Sequence, residues 1–182
     1  MKRFVLGFLA IVISGCGTPP PEETVESPQD IPAAVSTKQA KLAAAGQAAV
    51  AQEQSRKFIE KGLEQLKQSK IQDAIKSFDE AIKASPRDLR GYVVLGQTYL
   101  RSRNYDRAID TFTAATHVAP QDGEVYFMLA TSYQLAGKKE QAIKSVQRSA
   151  EIFQQKKDQA NFRKAVMFMQ SLIKPAPAEQ KS

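Results

Sequence analysis

Cys16 is the only thiol in this chain of 182 residues. It is the side chain best suited to covalent chemistry, because a thiolate is the strongest nucleophile that a side chain offers. An apolar run, residues 4–14, and Gly15 precede it, with Lys2 and Arg3 ahead of the run. A basic start, a short apolar run and small residues at its end are typical of a bacterial secretory signal. The run is well short of the ~20 residues that span a bilayer.

The residues Ile13-Ser14-Gly15-Cys16 resemble the lipobox of bacterial lipoproteins. The resemblance implies a signal peptide over residues 1–15 and a mature chain that begins at Cys16, whose thiol carries a diacylglyceryl group and whose amine carries a palmitate-type acyl chain. Two or three such chains anchor a protein stably on a membrane surface. An ordinary cleaved signal and an uncleaved anchor are the alternatives. Gly17 is not the aspartate that retains lipoproteins in the inner membrane of enteric bacteria, which favours the outer membrane of the bacterial cell envelope.

Other groups that support chemistry are scarce. His117 is the only histidine and stands near the end of a predicted helix, where a surface or capping role is commoner than that of a base. The sequence contains no glycine-rich phosphate loop and no pair of ligands at metal spacing. Asp79 and Glu80 lie among carboxylates scattered along helix faces, which we interpret as solvated charge. We expect no enzyme activity, no metal and no cofactor apart from the covalent lipid on Cys16.

The segment after Cys16 has the composition of a tether. Residues 16–35 combine five prolines with acidic residues and cannot bury enough apolar surface to become ordered. Residues 36–54 are rich in alanine and predict a helix capped by Ser36 or Thr37 and weakened by Gly46. Residues 175–182 predict a disordered tail.

The rest of the chain repeats itself at a spacing of 34 residues. The repeated pairs are Gly62 and Gly96, Ala74 and Ala108, Phe78 and Phe112, Ala81 and Ala115, and Pro86 and Pro120. Tyr92, Leu95, Gly96 and Tyr99 return as Tyr126, Leu129, Ala130 and Tyr133. This pattern resembles the tetratricopeptide repeat (TPR) family. The resemblance implies an all-α, right-handed solenoid of three helix-turn-helix repeats, 55–88, 89–122 and 123–156, closed by a C-terminal capping helix, 158–173.

Two features depart from a plain array of repeats. The third repeat lacks the proline that ends the second helix, so that helix is expected to run on toward Lys157. The capping helix is more apolar than a cap needs: Phe162, Val166, Met169 and Ile173 form one predicted stripe, and Met167, Phe168 and Leu172 lie off it. Either this helix folds over the end of the stack, or it offers a surface for a partner or a second copy.

The resemblance also implies where a partner binds, since the first helix of each TPR hairpin lines a concave groove. Transferred residue by residue, this rule gives the following set: Arg56, Ile59, Leu63, Leu66, Lys67, Arg90, Val93, Gln97, Leu100, Arg101, Glu124, Phe127, Thr131, Gln134 and Leu135. Family members that clamp a terminal carboxylate use lysine and asparagine where this chain has Ile59, Leu63 and Val93. Recognition of chaperone tails is therefore not expected.

Charge adds a preference for the kind of partner. Residues 55–174 hold 21 Lys and Arg against 13 Asp and Glu, a net charge of +8, whereas residues 17–54 hold 2 against 5, a net charge of −3. A basic domain in the cell envelope suggests peptide segments with acidic flanks, anionic head groups or wall polymers rather than nucleic acid. Lysines that merely solubilise the outer helix faces would give the same charge.

The sequence thus predicts a membrane-anchored, non-catalytic scaffold or assembly factor for a bacterial envelope complex, which binds a peptide or a helix in its groove. One alternative is a structural protein that forms homodimers through the apolar C-terminal helix. Another is a subunit of an enzyme complex without binding specificity of its own. These functions rest on similarity of architecture, and fold alone does not determine function.

Overall fold

The computed structural model describes residues 33–174, with side chains from residue 40 onward. The predicted signal peptide, Cys16, most of the tether and the tail lie outside these residues. The described range holds the following helices: α1 (Ala33–Lys67), α2 (Ile71–Ala84), α3 (Leu89–Arg101), α4 (Tyr105–Val118), α5 (Gly123–Leu135), α6 (Lys139–Gln155) and α7 (Gln159–Ile173). No strand occurs between residues 33 and 174, which confirms the all-α prediction. None of these helices is both long and apolar enough to cross a membrane.

The helices form three hairpins, α1–α2, α3–α4 and α5–α6, followed by α7. The boundary expected between an alanine-rich helix (36–54) and the first repeat falls inside α1, which runs unbroken through 35 residues and begins within the predicted tether. The reason is that no proline interrupts this stretch, and a single Gly46 costs a helix only about 1 kcal/mol. Residues 40–50 of α1 are exposed at every position.

Each of the first two hairpins packs a glycine of its first helix against a phenylalanine of its second. A Cβ atom added to Gly62 would collide with the ring of Phe78, and one added to Gly96 would collide with the ring of Phe112. In the third hairpin Ala130 and Val146 occupy the corresponding places, and both belong to one buried cluster. A larger residue on one helix is thus matched by a smaller residue on the other, as close packing requires.

The turn inside each hairpin contains one residue with a left-handed backbone: Ser69 (φ 62°), Arg103 (φ 56°) and Gly137 (φ 73°). In the second hairpin, the backbone N–H of Asn104 donates to the carbonyl of Tyr99 (2.9 Å), and that of Arg103 donates to Leu100 (3.1 Å). These bonds satisfy carbonyls at the end of the helix, as in a Schellman motif.

The connection between α6 and α7 has the same geometry. Lys157 has φ 58°, and the N–H of Asp158 donates to the carbonyl of Phe153 at 2.9 Å. The earlier connections between hairpins instead pass through Pro86 and Pro120. Without such a proline, α6 extends to 17 residues, whereas α2 and α4 have 14 each. The predicted extension of this helix therefore occurs, and it ends at Gln155.

The capping helix α7 packs against α6 through a stripe that differs from the predicted one. Ala165 and Leu172 are buried, and Phe162, Phe168 and Met169 pack around them in the cluster that contains Val146. Ile173, a member of the predicted apolar stripe, is 57% exposed, and Met167 is 69% exposed. Phe162 and Met169 of the predicted stripe therefore pack on the cluster and Ile173 does not, whereas Phe168 and Leu172 pack there although they lay off the stripe. The small Ala165, which apolar periodicity did not select, is fully buried.

Candidate functional site

Two pockets open on the helices to which the family rule assigned the groove. The first lies between α1 and α3 and is lined by Ile59, Leu89, Arg90, Val93 and Val94, with a volume of about 290 Å³. We call it the aliphatic pocket. Its wall is made of branched apolar side chains, and the guanidinium of Arg90 is the only charged group among its lining residues. Such a pocket suits a branched apolar side chain of a partner.

The second pocket lies between α3, α5 and α7 and has a volume of about 320 Å³. We call it the aromatic pocket, and its lining residues are Gln97, Leu100, Glu124, Phe127, Met128, Thr131, Phe153, Asn161 and Lys164. Phe153 reaches it because α6 is extended, and its ring packs where a Cβ atom on Gly123 would stand. An apolar floor with a polar rim is the usual construction of a ligand site.

The predicted groove residues divide between these pockets and their surroundings. The aliphatic pocket contains Ile59, Arg90 and Val93, and the aromatic pocket contains Gln97, Leu100, Glu124, Phe127 and Thr131. The remaining predicted residues line neither pocket: Arg56, Leu63, Leu66, Lys67, Arg101, Gln134 and Leu135. Leu66 packs on the core, while Leu135 lines a separate polar pocket at the turns.

Sequence reasoning missed six lining residues: Leu89, Val94, Met128, Phe153, Asn161 and Lys164. Leu89, Val94 and Met128 stand next to residues that were chosen, so a wider helical face would have included them. Phe153, Asn161 and Lys164 belong to α6 and α7. Their presence depends on the extension of α6, which the missing proline indicates, and on the packing of α7, for which the repeat pattern carries no signal.

Most cations near the aliphatic pocket are already paired with acidic side chains. Arg56 binds Glu53 at 2.9 Å, and Lys67 binds Glu64 at 3.2 Å. By contrast, Arg101 and Lys164 form no ion pair with any side chain from residue 40 to 174. The first repeat therefore presents less free positive charge than its sequence suggests.

Arg90 is held by Asp88, which caps α3. The Asp88 carboxylate is nearly buried and accepts bonds from the backbone N–H of Arg90 (3.1 Å), its Nη2 (2.7 Å) and the hydroxyl of Ser55 (3.3 Å). Hydrogen bonds from the Arg90 side chain lower the pKa of Asp88 below its ordinary value of 3.8. Through the hydroxyl of Ser55, the Asp88 carboxylate joins α1 to the start of α3 at the rim of the aliphatic pocket. Arg90, which is bound to the same carboxylate, therefore has a structural role there.

Phe127 is the centre of the aromatic pocket. The ring of Phe168 from α7 packs against it with 5.1 Å between centroids, and Lys164 Nζ lies 4.8 Å from its centroid. Aromatic pairs and cation–π contacts at such distances each contribute roughly 0.5 to 1.5 kcal/mol. α7 thus forms one wall of the groove beside α5.

The other polar features lie away from these pockets. Asp79 and Tyr99 line a polar pocket with Arg107, and burial raises the pKa of both Asp79 and Tyr99. His117 is exposed. Within the described residues, no group of three His, Cys, Asp or Glu side chains comes together as a metal site.

The tetratricopeptide repeat family matches the sequence over residues 59–115 and 93–160. No curated protein sequence matches the chain significantly. Solved structures match the fold at low identity. The TPR2B domain of yeast Sti1 in complex with pHsp70 shares 18% identity and a TM-score of 0.60, covering 66% of this chain and 96% of that one.

Two further structures are similar. The first TPR of Spaghetti (RPAP3), bound to the HSP90 peptide SRMEEVD, shares 19% identity and a TM-score of 0.57, over 66% of this chain and 91% of that one. PcrH of Pseudomonas aeruginosa, in complex with the chaperone binding region of PopD, shares 16% identity and a TM-score of 0.58, over 64% and 89% respectively. At this level of identity the similarity shows a shared fold alone.

Proposed function

Because the chain belongs to the tetratricopeptide repeat family, we propose that it is a membrane-anchored, non-catalytic scaffold or assembly factor of a bacterial envelope complex. It binds a peptide or helical segment of an envelope protein in the groove formed by α1, α3, α5 and α7. The lipid on Cys16 holds it on the membrane, with the outer membrane favoured. Recognition of a segment in a groove is a common use of helical repeats.

The observation that supports this function is that two pockets, the aliphatic pocket and the aromatic pocket, are both lined in part by α3. Leu89, Val93 and Val94 offer apolar surface in one, and Phe127 and Phe153 offer it in the other. Regular helices hold these side chains, so a bound segment meets a surface that is already formed. A preformed site reduces the entropy lost on binding.

The similar structures support the same kind of partner. The Spaghetti domain holds a peptide, and PcrH holds the chaperone binding region of PopD. We carry over only the class of ligand, a segment of another protein, because these proteins share the fold with this chain at under 20% identity. The partner proposed here carries apolar anchors with acidic flanks.

The groove is tested by crosslinking in intact cells and recovery of the full chain. Val93→Glu places a charge in the aliphatic pocket, and we expect it to reduce the recovered partner at least about tenfold, since burying an unpaired charge costs well over 1.4 kcal/mol. Ile71→Glu on α2 is the matched control, because Ile71 is similarly apolar and lines neither pocket. Equal recovery of the same proteins by both variants would rule out the groove as the binding site.

The anchor is tested separately, by fractionation of cells that make Cys16→Ser. Lipid chains hold a protein on a membrane at ~0.8 kcal/mol per buried methylene, so their loss should move the protein from the membrane pellet to the soluble fraction. A variant that stays in the pellet after a high-salt wash would contradict lipidation at Cys16. The groove proposal would stand in that case.

Self-assembly remains the second candidate function, and α7 supplies the observation that favours it. Met167 and Ile173 are large apolar side chains left exposed on this helix. They offer an apolar surface on which a second copy could dock. The variants that distinguish this candidate are described in the Discussion.

A further inference from the structure

Of the two cations of the groove that are unpaired within residues 40–174, Arg101 lines neither pocket, whereas Lys164 lies at the α7 end, in a pocket that also contains Glu124. Lys164 stands at the rim of the aromatic pocket and has no carboxylate partner among residues 40–174, whereas Arg56, Lys67 and Arg90 are each paired within the chain. A paired cation attracts an incoming carboxylate less, because the neighbouring acid cancels most of its field. The groove cations selected from the sequence all lie in the first two repeats, and three of these four, Arg56, Lys67 and Arg90, are paired.

We propose that the aromatic pocket is a specificity site that takes a large apolar side chain of the bound segment, and that Lys164 binds an acidic side chain next to it. This inference rests on the proposed function and adds the orientation of the partner. The acidic flank of the bound segment then lies toward α7. A second apolar side chain of the segment, without a charged neighbour, lies in the aliphatic pocket between α1 and α3.

The geometry of Lys164 supports this role. Its amine lies 4.8 Å from the centroid of the Phe127 ring, so the aromatic face holds the side chain over the pocket without neutralising its charge. The floor beneath it is formed by Leu100, Met128 and Phe153 together with that ring. A volume of about 320 Å³ accommodates one aromatic or large aliphatic side chain. A carboxylate beside that anchor then comes within reach of the amine.

The test is a selection of short random peptides displayed on phage against the immobilised full chain. We expect the selected peptides to carry Asp or Glu next to an aromatic or large aliphatic residue. One selected peptide, made synthetically, should bind Lys164→Gln about threefold more weakly than the unaltered chain, as the loss of one exposed ion pair predicts. Lys83→Gln is the matched control, since Lys83 is also an exposed lysine but lies on α2, lines neither pocket and is paired with Glu80. This variant should bind the peptide as the unaltered chain does.

The same peptide with its acidic residue changed to the amide provides a second reading. It should bind the unaltered chain about threefold more weakly and should show no further loss with Lys164→Gln, because both changes remove one interaction. Peptides without an acidic bias, or equal losses in Lys164→Gln and Lys83→Gln, would overturn this inference and leave the proposed function standing. A selection that yields no binding peptide would overturn both.

Discussion

Gly96 lies so close to the ring of Phe112 that a Cβ atom on residue 96 would come within 2.5 Å of Cζ of that ring. The equivalent residues of the third hairpin, Ala130 and Val146, carry one more carbon on the first helix and a smaller side chain on the second. The distance between the two helices of a hairpin is therefore set by the sizes of the two side chains that meet between them.

Gly96→Ala should lower the free energy of unfolding by about 1 to 3 kcal/mol, because the added methyl group overpacks a filled core. Phe112→Val should cost less stability in the Gly96→Ala background than in the unaltered chain, since the added methyl group then fills part of the space that the ring leaves. We expect a coupling energy of about 1 kcal/mol or more from a double-mutant cycle in urea. Gly46→Ala is the control, because a Cβ atom there meets nothing within 4 Å. Strict additivity of the two changes would refute the pairing.

Arg103→Gly should stabilise the chain by about 0.5 to 1 kcal/mol, although it removes a charged side chain. Arg103 has a left-handed backbone that costs a residue with a Cβ atom about 1 kcal/mol, and glycine adopts this conformation freely. Gly137→Ala should have the opposite effect by a similar amount, since only the backbone and no neighbouring atom opposes its methyl group. Chemical denaturation of both variants measures whether the free energy of unfolding rises for Arg103→Gly and falls for Gly137→Ala.

The Asp88–Arg90 pair should make stability fall in acid. Because the pKa of Asp88 is lowered in the folded state, its contribution is complete above the ordinary value of 3.8 and is lost as the pH falls through the lowered value. Asp88→Asn should cost about 1 kcal/mol at neutral pH, a figure reduced because Arg90 is largely exposed. The difference from the unaltered chain should shrink below pH 3.8 and vanish once the pH lies below the lowered pKa of Asp88. Asp122→Asn, at a cap without an arginine partner, is the comparison.

Met167→Glu and Phe168→Glu separate self-assembly from end-capping. Phe168 packs against Phe127, so its replacement by glutamate should cost several kcal/mol of stability whether or not the chain forms dimers. Met167 is exposed, and its replacement should leave the folding of a monomer unchanged within about 0.5 kcal/mol. Light scattering on the full chain gives the mass. A dimer that Met167→Glu converts to a monomer would favour the structural role over the groove.

The repeat architecture could be predicted because close packing of helices imposes residue sizes at fixed spacings. The small Gly96 and Ala108 and the large Phe112 mark the positions where the two helices of a hairpin meet, so the hairpins and their turns can be predicted from the sequence. The inward face of α7 could not be predicted in the same way. It lies outside the repeats, and apolar periodicity alone grouped Ile173 with Phe162 and Met169, although Ile173 is exposed and these two pack on the core.

The groove was predicted less completely for a related reason. The family rule selects residues by their place on a helix, and it selected Phe127 and Val93, which line the two pockets. It cannot indicate whether a cation is free. The rule selected both Arg90 and Arg101 as groove cations, but only Arg90 has an aspartate two residues earlier that caps its own helix. The roles of Phe153 and Lys164 depend on how α6 ends, which follows from a missing proline.

The exposed first part of α1 has a consequence for melting. Residues 40–50 touch too little of the fold to be held by burial, so alanine propensity alone keeps them helical, and such helices are marginal in water. On heating, this part should unwind gradually from its free end before the repeats unfold together. All five tyrosines lie between residues 92 and 133 and will report only the later, cooperative event. Loss of helix and loss of tyrosine packing should therefore follow different temperature courses in one chain.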